Sequence, residues 1–168
     1  AIGIVKIARI HGVKANVILD LSELNYDVER LIKKMQEAGV DQEIFISPDE
    51  AVQIATDNSL LVLTDHSKYS ITYNQSIYDK MKNRLVVIDH HRRGEEFPEN
   101  PMLVYIEPYA SSTCELVTEM IEYQPQGGDG VLNYLEATAM LAGITVDSKE
   151  FSLRTGTRTF DAASYLRS

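Results

Sequence analysis

Asp89-His90-His91-Arg92-Arg93 puts one carboxylate, two imidazoles and two guanidinium groups directly after the apolar run Leu85-Val86-Val87-Ile88. Carboxylate oxygen and imidazole nitrogen suit hard-to-borderline divalent cations such as manganese. A guanidinium fork suits a phosphate oxyanion. A buried strand that delivers such groups at its C-terminal end is where an open α/β sheet keeps its chemistry. The run therefore reads as a metal-dependent phosphoester site. Two further acids extend it: Asp65 lies just past the apolar run Leu60 to Leu63, and Asp147 follows Leu141-Ala142-Gly143-Ile144. If the strands ending at Asp65 and Asp89 are parallel neighbours, their side chains converge on one crevice.

Each of these residues also has a plain structural use. An aspartate after a strand commonly forms a turn or caps a helix. His66 can satisfy a local backbone group, Arg92 and Arg93 can be solvated charges, and Ser111, Ser112 and Thr113 can serve as helix caps. Cys114, near a helix start, could have a lowered pKa, but no base is placed beside it and a nucleophilic role is not expected. The nine tyrosines are scattered, without the spacing of a stacking platform for single-stranded nucleic acid.

Elements that could position the site must come from 168 residues, the length of one domain with a sizeable core. The composition, 44% hydrophobic and 24% charged, is that of a globular protein. Sixteen basic against 25 acidic residues give a net charge of −9, the wrong sign for gripping long nucleic acid through its phosphates. A small phosphorylated substrate held by a few local cations remains compatible. One cysteine permits no internal disulfide and favours a reducing, cytoplasmic setting. No signal peptide is evident, and no apolar run approaches the roughly 18 residues of a membrane helix, so the chain is expected to be soluble.

Periodicity predicts α/β alternation. Helices are expected over Ile2 to His11, Val28 to Ala38 (stopped by Gly39) and Ser47 to about Ala55. The third opens with a capping box, Ser47-Pro48-Asp49-Glu50. Strands are expected at Val17 to Leu19, Glu43 to Ile46, Leu60 to Leu63, Leu85 to Ile88 and Leu103 to Ile106, the last at an edge; the continuous apolar runs suit strands covered on both faces. Ser112-Thr113-Cys114-Glu115 reads as a second capping box, opening a helix through Leu116, Val117, Met120 and Ile121. Gln124 to Gly130 reads as a loop and Tyr134 to about Ile144 as a helix. The economical architecture is one doubly wound, largely parallel sheet with helices on both faces.

Taken together, Asp89-His90-His91, Thr64-Asp65-His66-Ser67-Lys68 upstream and Gly143-Ile144-Thr145-Val146-Asp147 downstream resemble the DHH phosphoesterases. Within that superfamily, His90-His91-Arg92-Arg93-Gly94-Glu95-Glu96-Phe97, Glu107-Pro108-Tyr109-Ala110-Ser111-Ser112-Thr113 and the segment from Phe151 to Phe160 are most similar to the cyclic-di-AMP phosphodiesterases. The resemblance runs from about Ile2 to the C-terminus. It implies a two-manganese site in which Asp65 bridges the metals while His90 and Asp147 complete a coordination shell. It further implies that Asp89 orients a histidine, that His91 donates to a phosphoryl oxygen, and that Arg92 or Arg93 offsets the growing charge. Ser111, Ser112 and Thr113 would offer hydroxyls and amides to a phosphate, with Arg154 and Arg158 on the substrate side.

The family completes its metal shell from an upstream H-x-x-x-D-x-D motif and holds substrate with a second domain carrying a G-G-G-H segment. Neither pattern occurs here, and His11 and Asp20 do not fit the first. The resemblance thus implies that residues 1–168 are a DHH core cut on both sides from a longer parent. That parent would carry membrane helices, a PAS-like sensor and a degenerate GGDEF domain, with this core on the cytoplasmic side of the membrane. The implied activity is manganese-dependent opening of cyclic-di-AMP to linear pApA. Alternatives are cleavage of short oligonucleotides, pAp or pyrophosphate, or a non-catalytic binding module. The sequence leaves homodimerisation open.

Overall fold

The computed structural model describes residues 1–20, 22, 24–38, 44–72, 75–125 and 132–168. Helices and strands alternate: α1 (Ile2–Ile10), β1 (Val17–Ile18), α2 (Tyr26–Glu37), β2 (Phe45–Ile46), α3 (Pro48–Ile54), β3 (Leu61–Thr64), α4 (Gln75–Met81), β4 (Leu85–Asp89) and β5 (Leu103–Ile106). Three helices follow, α5 (Thr113–Glu122), α6 (Tyr134–Asp147) and α7 (Thr157–Arg167).

Period-two alternation along β3 and β4 decides what lies on each face. Leu61, Leu63, Leu85 and Val87 form one core with Ala51 of α3 and Ile77, Tyr78 and Met81 of α4. Ile88, with Val62 and Val86 packed against it, faces Val117, Ile121, Met140, Ile144, Ala162 and Leu166 of α5, α6 and α7. Each fully buried aliphatic side chain contributes about 1.5–3 kcal/mol, so removing either layer would expose one face of the sheet. The fold is α/β with helices on both faces. Every strand pairing is parallel, and the strands described pair in two sets, β3-β4-β5 and β1-β2. Ile18 and Ile46 of the smaller set pack against the α3/α4 core.

Close approach of α1 to the helical layer depends on Gly3. A Cβ there would stand 2.5 Å from Val117 Cγ1 and 2.9 Å from Met140 Cε. α6 is apolar around most of its circumference, as befits a helix in contact with α1, α5 and α7.

Several boundaries differ from the sequence expectation. β3 is shifted one residue, leaving Leu60 half exposed. α2 starts earlier because Asn25 caps it, its side chain accepting from Val28 N at 2.9 Å. α6 continues past Ile144, which makes Asp147 a helix residue. α4 and α7 were not marked by periodicity. α7 buries only Thr159, Ala162 and Leu166, a correct helical spacing written in small and polar residues. The Ser47 box forms in full, with Glu50 N donating to Ser47 Oγ and Ser47 N to Glu50 Oε2. The Ser112 box forms only in half. Glu115 N donates to Ser112 Oγ at 3.1 Å, but the Glu115 carboxylate turns to Ser111 and Thr159 instead. The expectations for Gly39, Glu43 and the glycine-rich part of the Gln124–Gly130 loop lie outside the described residues.

Candidate metal centre

β3 and β4 are parallel neighbours with Thr64 opposite Ile88, so Asp65 and Asp89 leave the sheet at the same edge. The Asp65 amide still donates to Ile88 O at 3.0 Å. Its backbone then turns sharply, with φ +67°, a left-handed conformation that aspartate tolerates better than most residues. That turn leaves Asp65 Oδ1 accepting from Thr113 Oγ1 at 2.9 Å and lying 3.5 Å from His90 Nε2.

His90 is buried, and its Nδ1 lies 3.3 Å from the carbonyl of Ala110. A carbonyl only accepts, so Nδ1 carries a proton, and Nε2 is the nitrogen whose lone pair is open to a cation. That lone pair faces Asp65 Oδ1 at 3.5 Å and Asp147 Oδ2 at 3.9 Å. A lone pair aimed at two carboxylates is an arrangement completed by a cation or by a second proton on the ring.

His91 is fixed from the other direction. Asp89 is fully buried, and its Oδ1 accepts from His91 N at 3.1 Å and from His91 Nδ1 at 2.8 Å. The two imidazoles meet edge to face, 4.4 Å between ring centres. Asp89 Oδ2 is buried without a hydrogen-bond partner among the described residues. Single ligand atoms of Asp65, His90 and His91 all lie within 4.8 Å of one another. Burial first, then the Asp65 charge, pushes the Asp147 carboxyl above its ordinary range, while His90 and His91 pull it back.

The remaining expected residues divide. Arg92 and Arg154 line a cavity of about 380 Å³ with His90 and His91, and Arg92 and Arg93 line an adjoining one of about 580 Å³. The Arg93 guanidinium lies 4.5 Å over the Phe97 ring. Thr113 touches Asp65. Ser111 and Ser112 are fully buried, and both hydroxyls are used inside the protein, on Glu115 and as the α5 cap. Arg158 holds Glu119 through two bonds of 2.6 and 2.7 Å, a pairing that raises its pKa. A substrate role for Arg158 would require breaking that fork. His66 Nδ1 sits 3.1 Å from Thr64 O, the local backbone use expected of it.

Sequence reasoning missed three contributors. The Ala110 carbonyl is backbone and carries no residue-type signal. Glu115 accepts at Oε2 from Ser111 N, Ser111 Oγ and Thr159 Oγ1, tying the loop beside His90 to α7. Tyr109 lines both cavities. The Cys114 thiol is also corrected: burial pushes it up to about 11, opposite to the lowering that a helix start suggests.

Residues 1–144 match the DHH family, N-terminal domain. The chain belongs to the DHH family. It is 51% identical over 167 residues to the cyclic-di-AMP phosphodiesterase GdpP of Bacillus subtilis. It is 47% identical over 168 residues to the cyclic-di-AMP phosphodiesterase PdeA of Listeria monocytogenes. This DHH chain is covered almost entirely in both alignments but spans 25% of the length of each relative. Among solved structures, an exopolyphosphatase-related protein from Bacteroides fragilis superposes with a TM-score of 0.70 at 18% identity, over 98% of this chain and 46% of that one. That likeness concerns the fold.

The DHH site fits a divalent cation. Its donors are oxygen and imidazole nitrogen, and the buried ring of His90 holds Nε2 at 3.5 Å from Asp65 and 3.9 Å from Asp147. No helix among the described residues is long and apolar enough to cross a membrane.

Proposed function

We propose that this DHH domain is the catalytic core of a longer cyclic-di-AMP phosphodiesterase, using manganese to release linear pApA. The observation that carries the reading is the convergence of Asp65, His90 and His91 at one edge of two parallel strands. The substrate assignment draws on the names of relatives at 51% and 47% identity.

In this reading Asp65, His90 and Asp147 hold metal, and His91 stands beside them. A bound divalent pair would polarise a phosphoryl oxygen and make water acidic enough to attack near neutral pH. The chain's own residues do the rest. The Ala110 carbonyl fixes the His90 tautomer, and Asp89 fixes His91 so that its far nitrogen points away from the buried carboxylate. His91, once protonated, donates to a phosphoryl oxygen, while Arg92, Arg93 and Arg154 meet the phosphate charge along the cavity. Thr113 holds Asp65 in place. Ser111, Ser112 and Arg158 act as frame. Further ligands and substrate contacts would come from segments of the longer protein outside residues 1–168, which in this reading is attached to the cell membrane with the core in the cytoplasm.

The test is pApA release from cyclic-di-AMP by the full-length protein with manganese, and by its Asp65→Ala variant. Turnover that Asp65→Ala abolishes while circular dichroism stays native supports the reading. Turnover of pAp, short oligonucleotides or pyrophosphate in place of cyclic-di-AMP would overturn the substrate assignment. Normal activity in Asp65→Ala would remove that residue from the metal site.

A further inference from the structure

The cavity beside the metal centre does not end at the phosphate-binding residues. Arg92, Pro108 and Tyr109 are shared walls of the compartment that holds His90, His91 and Arg154 and of the larger one beyond it, about 580 Å³, whose other lining includes Arg93, Val104 and Ile106. One end is charged and suited to phosphate; the other has an aliphatic floor from β5 and an aromatic wall.

Tyr109 is that wall. It is 87% exposed, with no ring partner and no hydrogen bond to its hydroxyl among the described residues. Its backbone is held tightly all the same. Ala110 N donates to Glu107 O at 3.0 Å, closing a turn around Pro108 and Tyr109, and the Ala110 carbonyl holds His90. An aromatic ring with almost all its surface in water adds little to folding. The Tyr109 backbone is anchored one residue from the carbonyl that holds His90, so the ring is attached at a set place beside that imidazole.

We infer that the larger compartment is a nucleobase subsite, in which Tyr109 stacks on the base of the nucleotide whose phosphate lies at the metal centre. The inference rests on the phosphodiester reading of the site and adds to it the moiety that is recognised. Val104 and Ile106 give the base an apolar floor, and Arg93, whose guanidinium lies over Phe97, brings a positive charge to the same space. Stacking tolerates any base, so this subsite selects nucleotides over base-free phosphates and leaves adenine against guanine to other contacts.

The experiment uses the full-length protein with manganese and compares wild type, Tyr109→Ala and Tyr109→Phe. Because the side chain is exposed, neither substitution threatens the fold. Tyr109→Ala is expected to raise KM for cyclic-di-AMP by about tenfold with kcat within about twofold, and Tyr109→Phe to stay near wild type. In parallel, calorimetry measures binding of AMP and of ribose 5-phosphate. Wild type should prefer AMP by about tenfold and Tyr109→Ala should lose that preference. An unchanged KM in an active Tyr109→Ala enzyme overturns the subsite, as does wild type binding the two ligands equally. If wild type fails to cleave cyclic-di-AMP, the substrate reading falls, and the AMP comparison still decides the subsite.

Discussion

Replacing Glu115 of α5 by alanine should cost more than any single substitution in the loop that supports His90. Glu115 Oε2 accepts from Ser111 Oγ at 2.6 Å, Ser111 N at 3.1 Å and Thr159 Oγ1 at 2.7 Å. All three residues are essentially without solvent contact. Hydrogen bonds to a charged acceptor are worth about 1.5–3 kcal/mol each, and a buried donor left unpaired costs about 1–3 kcal/mol. Removing the carboxylate also ends its own burial cost, several kcal/mol for an ion. The net for Glu115→Ala is on the order of 3–5 kcal/mol. At roughly 2–4 °C per kcal/mol for a domain of this size, Tm should fall by about 6–20 °C. Thr159→Ala removes one donor and should cost about 1–2 kcal/mol. Because both changes act on one network, the double variant should fall short of the sum by more than about 0.5 kcal/mol. Urea denaturation followed by circular dichroism gives all four corners of the cycle. A Glu115→Ala cost below about 1 kcal/mol, or strict additivity with Thr159→Ala, would refute the argument that this carboxylate joins α7 to the site loop.

Manganese at a hundredfold excess over its Kd should stabilise the protein by about 2.7 kcal/mol, visible as a rise in Tm, and Asp65→Asn should abolish most of that rise. Equal rises in both would exclude Asp65 as a ligand. Burial holds the Cys114 thiol up to about 11, so iodoacetamide should label native protein negligibly near neutral pH and unfolded chain readily. The unfolded thiol ionises first, so stability should decline as pH climbs from the ordinary thiol value of 9.0 toward about 11, and Cys114→Ala should flatten that decline in alkaline thermal melts. A Cβ on Gly143 would land on Cys114 Sγ, so Gly143→Ala should destabilise by about 1–3 kcal/mol despite its better helix propensity. Adding Cys114→Ala should restore most of the loss, and a loss that persists in the double variant would place the clash elsewhere.

The strands, to within a residue or so, and the cluster of oxygen and nitrogen donors are legible along the chain. Leu85 to Ile88 is apolar at every position because both faces of the sheet are covered, and its end in Asp89-His90-His91 marks the donor set without reference to any neighbour. The Ser47 box was legible because all its partners lie within four residues. Which carboxylates meet is set by contacts through space. The side chains of Asp65, His90 and Asp147 come from three separate stretches of chain, and only the parallel β3-β4 register and the packing of α6 on α5 bring them together. Such contacts also decide how the hydroxyls near α5 are used. Ser111, Ser112 and Thr113 read alike as phosphate donors. Burial commits the first two to Glu115 and to the helix cap, while Thr113 reaches Asp65. Local pattern reports a residue's neighbours along the chain, whereas hydrogen-bond saturation, desolvation and the assembly of a metal shell depend on neighbours through space.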